Sequence, residues 1–225
     1  MTSRPFATVA IPAVCHVGTL NAADKGREHP GSYEGHGLSV ALAEHAEHWE
    51  RIAQLGGRAW WLLRRDDGRF LDARALTGPQ RRSIRDWGQR QGLVQRATVW
   101  AYERHDDELG DTVSTLHDTK SGALQQADDE ADPHGRVRRT VTLRATSRLR
   151  ERLGVRAGTD VFDLLAVCYV EDEMPGLDGV WWNDPVSWMW APRGVILPGR
   201  LAGWQARQVT RRQALEFADA QSGWV

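Results

Sequence analysis

The chain is short of several things, and each shortage narrows what it can be. Among 225 residues only Cys15 and Cys168 are cysteines, far apart and each beside apolar neighbours. Two such thiols build neither a disulfide framework nor a cysteine zinc site, so a reduced compartment is expected. No apolar run approaches the roughly 18 residues of a membrane span. Met1 to Cys15 carries one arginine and a short apolar run broken by Pro5 and Pro12, too short for a signal peptide. A cytoplasmic protein without a membrane partner is expected. No charge excess exists either: 29 basic and 30 acidic side chains leave a net charge of -1, so the totals imply no stripe for nucleic acid. Missing too are a Gly-x-Gly-x-x-Gly after a strand, a phosphate loop and a Gly-x-Ser-x-Gly elbow, which removes support from hydride-transfer, kinase and hydrolase readings.

What is present is enough for a core. Hydrophobic residues make up 41 % of the chain and tryptophan occurs 11 times, a composition that excludes general disorder. Thr8 to Val17 reads as a strand ending at Gly18, and Leu38 to Leu42 as a second. A helix follows from Glu44 to Leu55 with Ala46, Trp49, Ile52 and Ala53 on one stripe, stopped by Gly56-Gly57. Arg58 to Arg64, Asp66-Asp67-Gly68 and Arg69 to Ala73 predict a hairpin, because Asp-Gly accepts the positive φ of a tight turn. Further on, the pattern predicts a surface helix over 81–91, a strand over 93–103, a polar helix over 119–131, a strand over 136–145 and a short helix over 147–153. Val161 to Val170, the most apolar run, is β-branched and aromatic enough to predict a central strand. Strands outnumber helices without strict strand-helix alternation, so an α+β fold with mainly antiparallel pairing is expected.

Three segments could carry chemistry. In Cys15-His16-Val17-Gly18-Thr19 a histidine ends a strand, Gly18 permits close backbone approach and Thr19 adds a donor or acceptor. Downstream stand Gly35-His36-Gly37-Leu38-Ser39 and a helix bearing Trp49. Late in the chain comes Asp178-Gly179-Val180-Trp181-Trp182-Asn183-Asp184, followed by Ala191-Pro192-Arg193-Gly194. His45 and His48 with Glu44 and Glu47 crowd one helix, but a solvated face is the better reading and no metal is expected.

His-x-Gly-Thr, a loop, Gly-Leu opening a strand, then a helix with an aromatic resembles the NAD-binding half of the ADP-ribosyltransferase superfamily. The late Asp-Gly-Val-Trp-Trp element is similar to one in RNA 2'-phosphotransferases, which share that fold. The resemblance covers roughly residues 8 to 55 and 161 to 200. It implies one domain over 1–225, with a mainly antiparallel split sheet of ADP-ribosyltransferase type, peripheral helices and an insertion around 64–160.

It also implies NAD as substrate, with His16 on ribose hydroxyls and Gly18, Thr19, Gly37, Leu38 and Ser39 lining the cofactor. Trp49 would stack on nicotinamide, worth about 0.5–1.5 kcal/mol beyond area burial. Arg193 would also contact the cofactor, and would matter most in RNA 2'-phosphotransferase chemistry, where arginines replace the acid. Ser39 stands where the family has a tyrosine, which Tyr33 would replace from the loop. No glutamate precedes the last strand; Asp178 and Asp184 are the nearest acids, with Glu34 and Glu103 more distant. The implied activity is ADP-ribose transfer to a macromolecular acceptor, as a bacterial toxin with an antitoxin partner or a phage-defence factor. Two alternatives stay open: RNA 2'-phosphotransferase chemistry, and a nucleotide- or protein-binding module without turnover.

Overall fold

Pro12 has no backbone N–H to give to a ladder, and the run expected as one strand is two there: β1 (Thr8–Ala10) and β2 (Ala13–Val17). The structure, a computed structural model, describes residues 5–20, 37–52, 56–106, 111–131, 134–154, 161–186 and 189–222. β3 (Leu38–Ala41), α1 (Ala43–Ile52), β4 (Trp60–Arg64), β5 (Arg69–Asp72) and α2 (Gly78–Arg90) follow. Next come β6 (Val94–Asp106), β7 (Asp111–His117), α3 (Lys120–Glu130) and β8 (Arg136–Ala145). The chain ends with α4 (Ser147–Leu153), α5 (Val161–Glu173), β9 (Gly179–Val186), β10 (Met189–Ile196), β11 (Gln205–Val209) and α6 (Arg211–Ser222). It divides into two compact units, Met1–Leu93 with Ser147–Val225, and Val94–Thr146. Of the segment 64–160 read as an insertion, residues 64–93 and 147–154 lie in the first unit.

The first unit holds eight strands in the order β1-β5-β9-β10-β3-β2-β4-β11, antiparallel at every junction except β5 with β9. This is the α+β class with mainly antiparallel pairing. Residues 8–17 run antiparallel to residues 60–72, with β2 on β4 and β1 on β5. At the break, Arg65 N–H donates to Pro12 O at 2.9 Å and Ile11 N–H to Gly68 O at 2.9 Å. The expected hairpin is corrected here. Asp66-Asp67-Gly68 does turn, with Gly68 N–H donating to Arg65 O at 3.0 Å, but β4 and β5 do not pair with each other. Each finds its hydrogen bonds elsewhere, β4 between β2 and β11 and β5 between β1 and β9. Only glycine fits at 68, where a Cβ would lie 2.7 Å from Ile11 O.

Period-two alternation divides the strand residues between two cores. Val14, Leu38, Val40, Leu63, Phe70, Trp181 and Ile196 join Trp204 in one. Their neighbours of opposite parity, Cys15, Val17, Trp60 and Leu62, meet Ala43 and Ala46 of α1 and Ala214 of α6 in the other. Each large side chain so buried contributes on the order of 2 kcal/mol.

Val161 to Val170, expected as a central strand, is instead most of α5. Leu164, Leu165, Ala166, Val167 and Cys168 are all buried, and five consecutive positions cover every side of a helix. A helix buried all round shows no hydrophobic period, so an apolar run of this length does not distinguish it from a buried strand. α2 lies close enough to α5 that a Cβ on Gly88 would sit 2.5 Å from a Leu165 methyl, and the Trp87 indole N–H donates to Glu173 Oε1 at 2.8 Å. The second unit is a β7-β6-β8 antiparallel sheet. Its helix α3 buries Ala123 and is tied to β7 by a 2.6 Å hydrogen bond between His117 Nε2 and Gln126 Oε1.

Candidate functional site

His16 ends β2 with its ring clasped by backbone. Nδ1 lies 2.7 Å from Ser39 O of β3, and Nε2 lies 3.0 Å from Thr19 O. Carbonyl oxygens only accept, so both contacts are hydrogen bonds at once only in the doubly protonated ring; a neutral ring donates to one of them and its other nitrogen becomes an acceptor. Thr19 O reaches the ring because Gly18 folds the chain back at φ +134°, a conformation side chains resist, and a Cβ there would sit 3.3 Å from His16 Nε2. Gly18 is itself pinned from both sides. Its N–H donates to Ala59 O at 2.8 Å and its carbonyl accepts the Trp61 indole N–H at 3.0 Å. Trp61 is the direct cross-strand partner of His16, so both side chains share one face of the sheet.

The second motif meets the first through Ser39, whose residue is exposed while its carbonyl holds the imidazole. Gly37 and Leu38 serve packing. A Cβ on Gly37 would lie 2.6 Å from a Val195 methyl and 2.8 Å from Ile196 O, and Leu38 is buried in the core. Tyr33 lies outside the described residues, as do the side chains of Trp49 on α1 and Asp184 on β9.

Asp178 is 3 % exposed and fully engaged. Its Oδ1 accepts from Arg65 Nη1 at 2.6 Å and from the Trp204 indole at 3.2 Å, while Oδ2 accepts from Arg69 N–H at 2.9 Å. Its backbone closes two more bonds, N–H to Arg69 O at 2.7 Å and Leu197 N–H to Asp178 O at 2.9 Å. This carboxylate joins β5, the start of β9 and the turn before β11.

Arg193 is 4 % exposed, with its guanidinium 5.7 Å from the centre of the Trp182 ring. Register fixes its side: Trp182, Arg193, Ala41 and Cys15 are successive partners across β9, β10, β3 and β2, so all four share a face. His16 follows Cys15 and faces the other way. Of the two late indoles, Trp181 therefore lies on the His16 side, inside the core, and Trp182 on the Arg193 side.

No protein-family model, curated protein or solved structure matches this chain. Function is carried by its own geometry.

That geometry narrows other candidates. Cys15 and Cys168 are buried thiols, each pushed up to about 12 by desolvation, and so are poor nucleophiles at neutral pH. Glu103 accepts from Arg138 at 2.6 and 2.8 Å, and that hydrogen bond holds its carboxyl below the ordinary glutamate value. The arginine-rich stretch over 136–156 is partly neutralised: Arg138 pairs with Glu103, Arg144 with Asp118, and Arg152 with Glu171 and Asp172. Among the described residues no group of three His, Cys, Asp or Glu could hold a metal, and no helix is long and apolar enough to cross a membrane.

Sequence reasoning did not find Trp61, Arg65 or Trp204. Trp61 was within reach, since alternation along Trp60-Trp61-Leu62-Leu63 already sends the two indoles to opposite faces. Arg65 and Trp204 act through tertiary contacts that no local pattern announces.

Proposed function

We propose that the chain is an NAD-dependent ADP-ribosyltransferase on a split-sheet core of that type, binding the dinucleotide where β2 and β3 lie side by side. The observation that carries this reading is the 2.7 Å contact between His16 Nδ1 and Ser39 O, which joins two motifs 23 residues apart in the chain. In this arrangement Gly18, Thr19 and Ser39 form the wall of the site. His16 in its neutral form keeps one carbonyl and uses the acceptor nitrogen for a ribose hydroxyl.

The reaction breaks the bond between nicotinamide and its ribose. The bonding pair leaves with nicotinamide, and a nucleophile on the acceptor supplies the pair for the new bond to the oxocarbenium-like carbon. A carboxylate beside that ribose stabilises the developing charge. Asp178 is assigned a structural part because its oxygens are already taken, and Asp184 has the strand parity of Trp182, opposite to that of His16, which leaves Tyr33 and the neighbouring carboxylate Glu34 as the candidate catalytic groups. The acceptor is a macromolecule, in a toxin or phage-defence setting with an antitoxin as partner. Arg193 lies on the opposite face from His16, which counts against arginine-based RNA 2'-phosphotransferase chemistry.

A second reading, a nucleotide-binding module without turnover, is favoured by one observation: backbone carbonyls stand against both His16 nitrogens. Incubation with NAD labelled in nicotinamide separates the two. Release of label by the full chain, lost in His16→Ala and in Glu34→Gln, is expected for the transferase. Saturable binding without release identifies the module, and absence of both rejects the dinucleotide site.

A further inference from the structure

An open recess of about 510 Å3 lies where α1 ends, β4 begins and β11 passes into α6. Its volume is in the range of small-ligand sites, roughly 300–1,000 Å3. Buried Trp60 and Val209 contribute apolar surface, and Arg58 and Arg211 stand at its margins. It belongs to the face opposite His16, because Trp60 and Trp61 are consecutive in β4 and the Trp60 indole N–H donates to Glu50 Oε1 at 3.2 Å while that of Trp61 serves Gly18.

The charges in the recess do not cancel. Glu50 is committed twice, to Trp60 and to Arg211, whose Nε is 3.8 Å from Glu50 Oε2. Arg58 forms no ion pair with any described residue, and it lines the recess together with Arg211 and the single carboxylate Glu50. Gly57 leaves room beside Arg58, since a Cβ there would meet nothing within 4 Å. A guanidinium presents paired donors whose spacing matches two phosphate oxygens, and an apolar surface next to it favours an organic body over a bare ion.

We propose that this recess is a second ligand site that takes a small phosphate ester, with Arg58 and Arg211 on the phosphate and Trp60 and Val209 against the organic body. It goes beyond the dinucleotide reading and does not depend on it. The test is calorimetric titration of the full chain with ribose 5-phosphate, inorganic phosphate and unphosphorylated ribose. Saturable binding is expected for ribose 5-phosphate, more weakly for inorganic phosphate, and not for ribose. Arg58→Gln should weaken ribose 5-phosphate binding by about tenfold or more, the loss of one charge-assisted contact. Arg207→Gln, on exposed β11 but outside the recess, should leave it unchanged. His16→Ala should also retain it, which keeps this outcome separate from the fate of the NAD site. No saturable binding of ribose 5-phosphate, equal affinity for inorganic phosphate, or equal loss in Arg58→Gln and Arg207→Gln would overturn the proposal.

Discussion

Arg65 and Asp178 are 113 residues apart in the chain and 2.6 Å apart in the fold. The carboxylate is almost wholly buried, and Arg65 also binds Asp67 at 2.7 Å, so one guanidinium ties the turn after β4 to the residue just before β9. Arg65 is partly exposed and keeps Asp67, so what Asp178→Ala strands is the Trp204 indole N–H and the Arg69 N–H. The substitution should cost about 1–3 kcal/mol, read as a lower urea midpoint with an unchanged slope. Asp178→Asn that folds with native stability yet abolishes nicotinamide release would instead assign Asp178 to catalysis.

Trp61→Phe removes the indole N–H that holds Gly18 O while keeping most of the ring. Stability should fall by about 0.5–1.5 kcal/mol, the worth of one hydrogen bond. NAD affinity should fall with it, because the positive-φ conformation of Gly18 sets where Thr19 and His16 meet. Stability lowered without any change in NAD affinity would remove this corner from the binding site.

Gly179 and Gly194 face each other's strands with no space for a side chain. A Cβ on Gly194 would meet the Trp181 ring and lie 2.8 Å from Val180 O, and one on Gly179 would meet Val195 O. Backbone cannot rotate away as a side chain can. Gly179→Ala and Gly194→Ala should each cost at least about 1–3 kcal/mol in chemical denaturation, while Gly176→Ala, with nothing within 4 Å, should be tolerated.

Both thiols should be silent in the native protein. Burial pushes Cys15 and Cys168 up to about 12, above the roughly 8.5 of a solvated cysteine. With folded values above unfolded ones, their contribution to stability is complete below about pH 8.5 and is lost as pH rises toward 12. A thiol reagent at pH 8 should find no fast-reacting group until denaturant is added. Rapid modification of either cysteine under native conditions would contradict this burial.

Local pattern made part of the fold legible. α2 opens with Thr77 capping Gln80 and Pro79 in its first turn, and α3 opens with Thr119 bonded to Gly122. Signals of that kind involve neighbours three residues apart, and a reader of the chain meets them together. The hairpin misread shows where such reasoning stops. Asp66-Asp67-Gly68 specifies a turn, but which strands pair after it depends on Pro12 and on β9, far along the chain. α5 fails for another reason, since uniform apolarity erases the period that separates helix from strand.

The candidate site divides along the same line. His16, Gly18 and Thr19 are contiguous enough to be noticed, and the amino-acid order alone determined that a glycine would bend the chain beside the imidazole. Tertiary structure decided the rest. It seated Asp178 under Arg65 and Trp204, and it turned Arg193 to the face away from His16. The reason is parity: along each strand adjacent side chains point to opposite faces, so one position of register in β2, β3, β9 and β10 decides which groups meet.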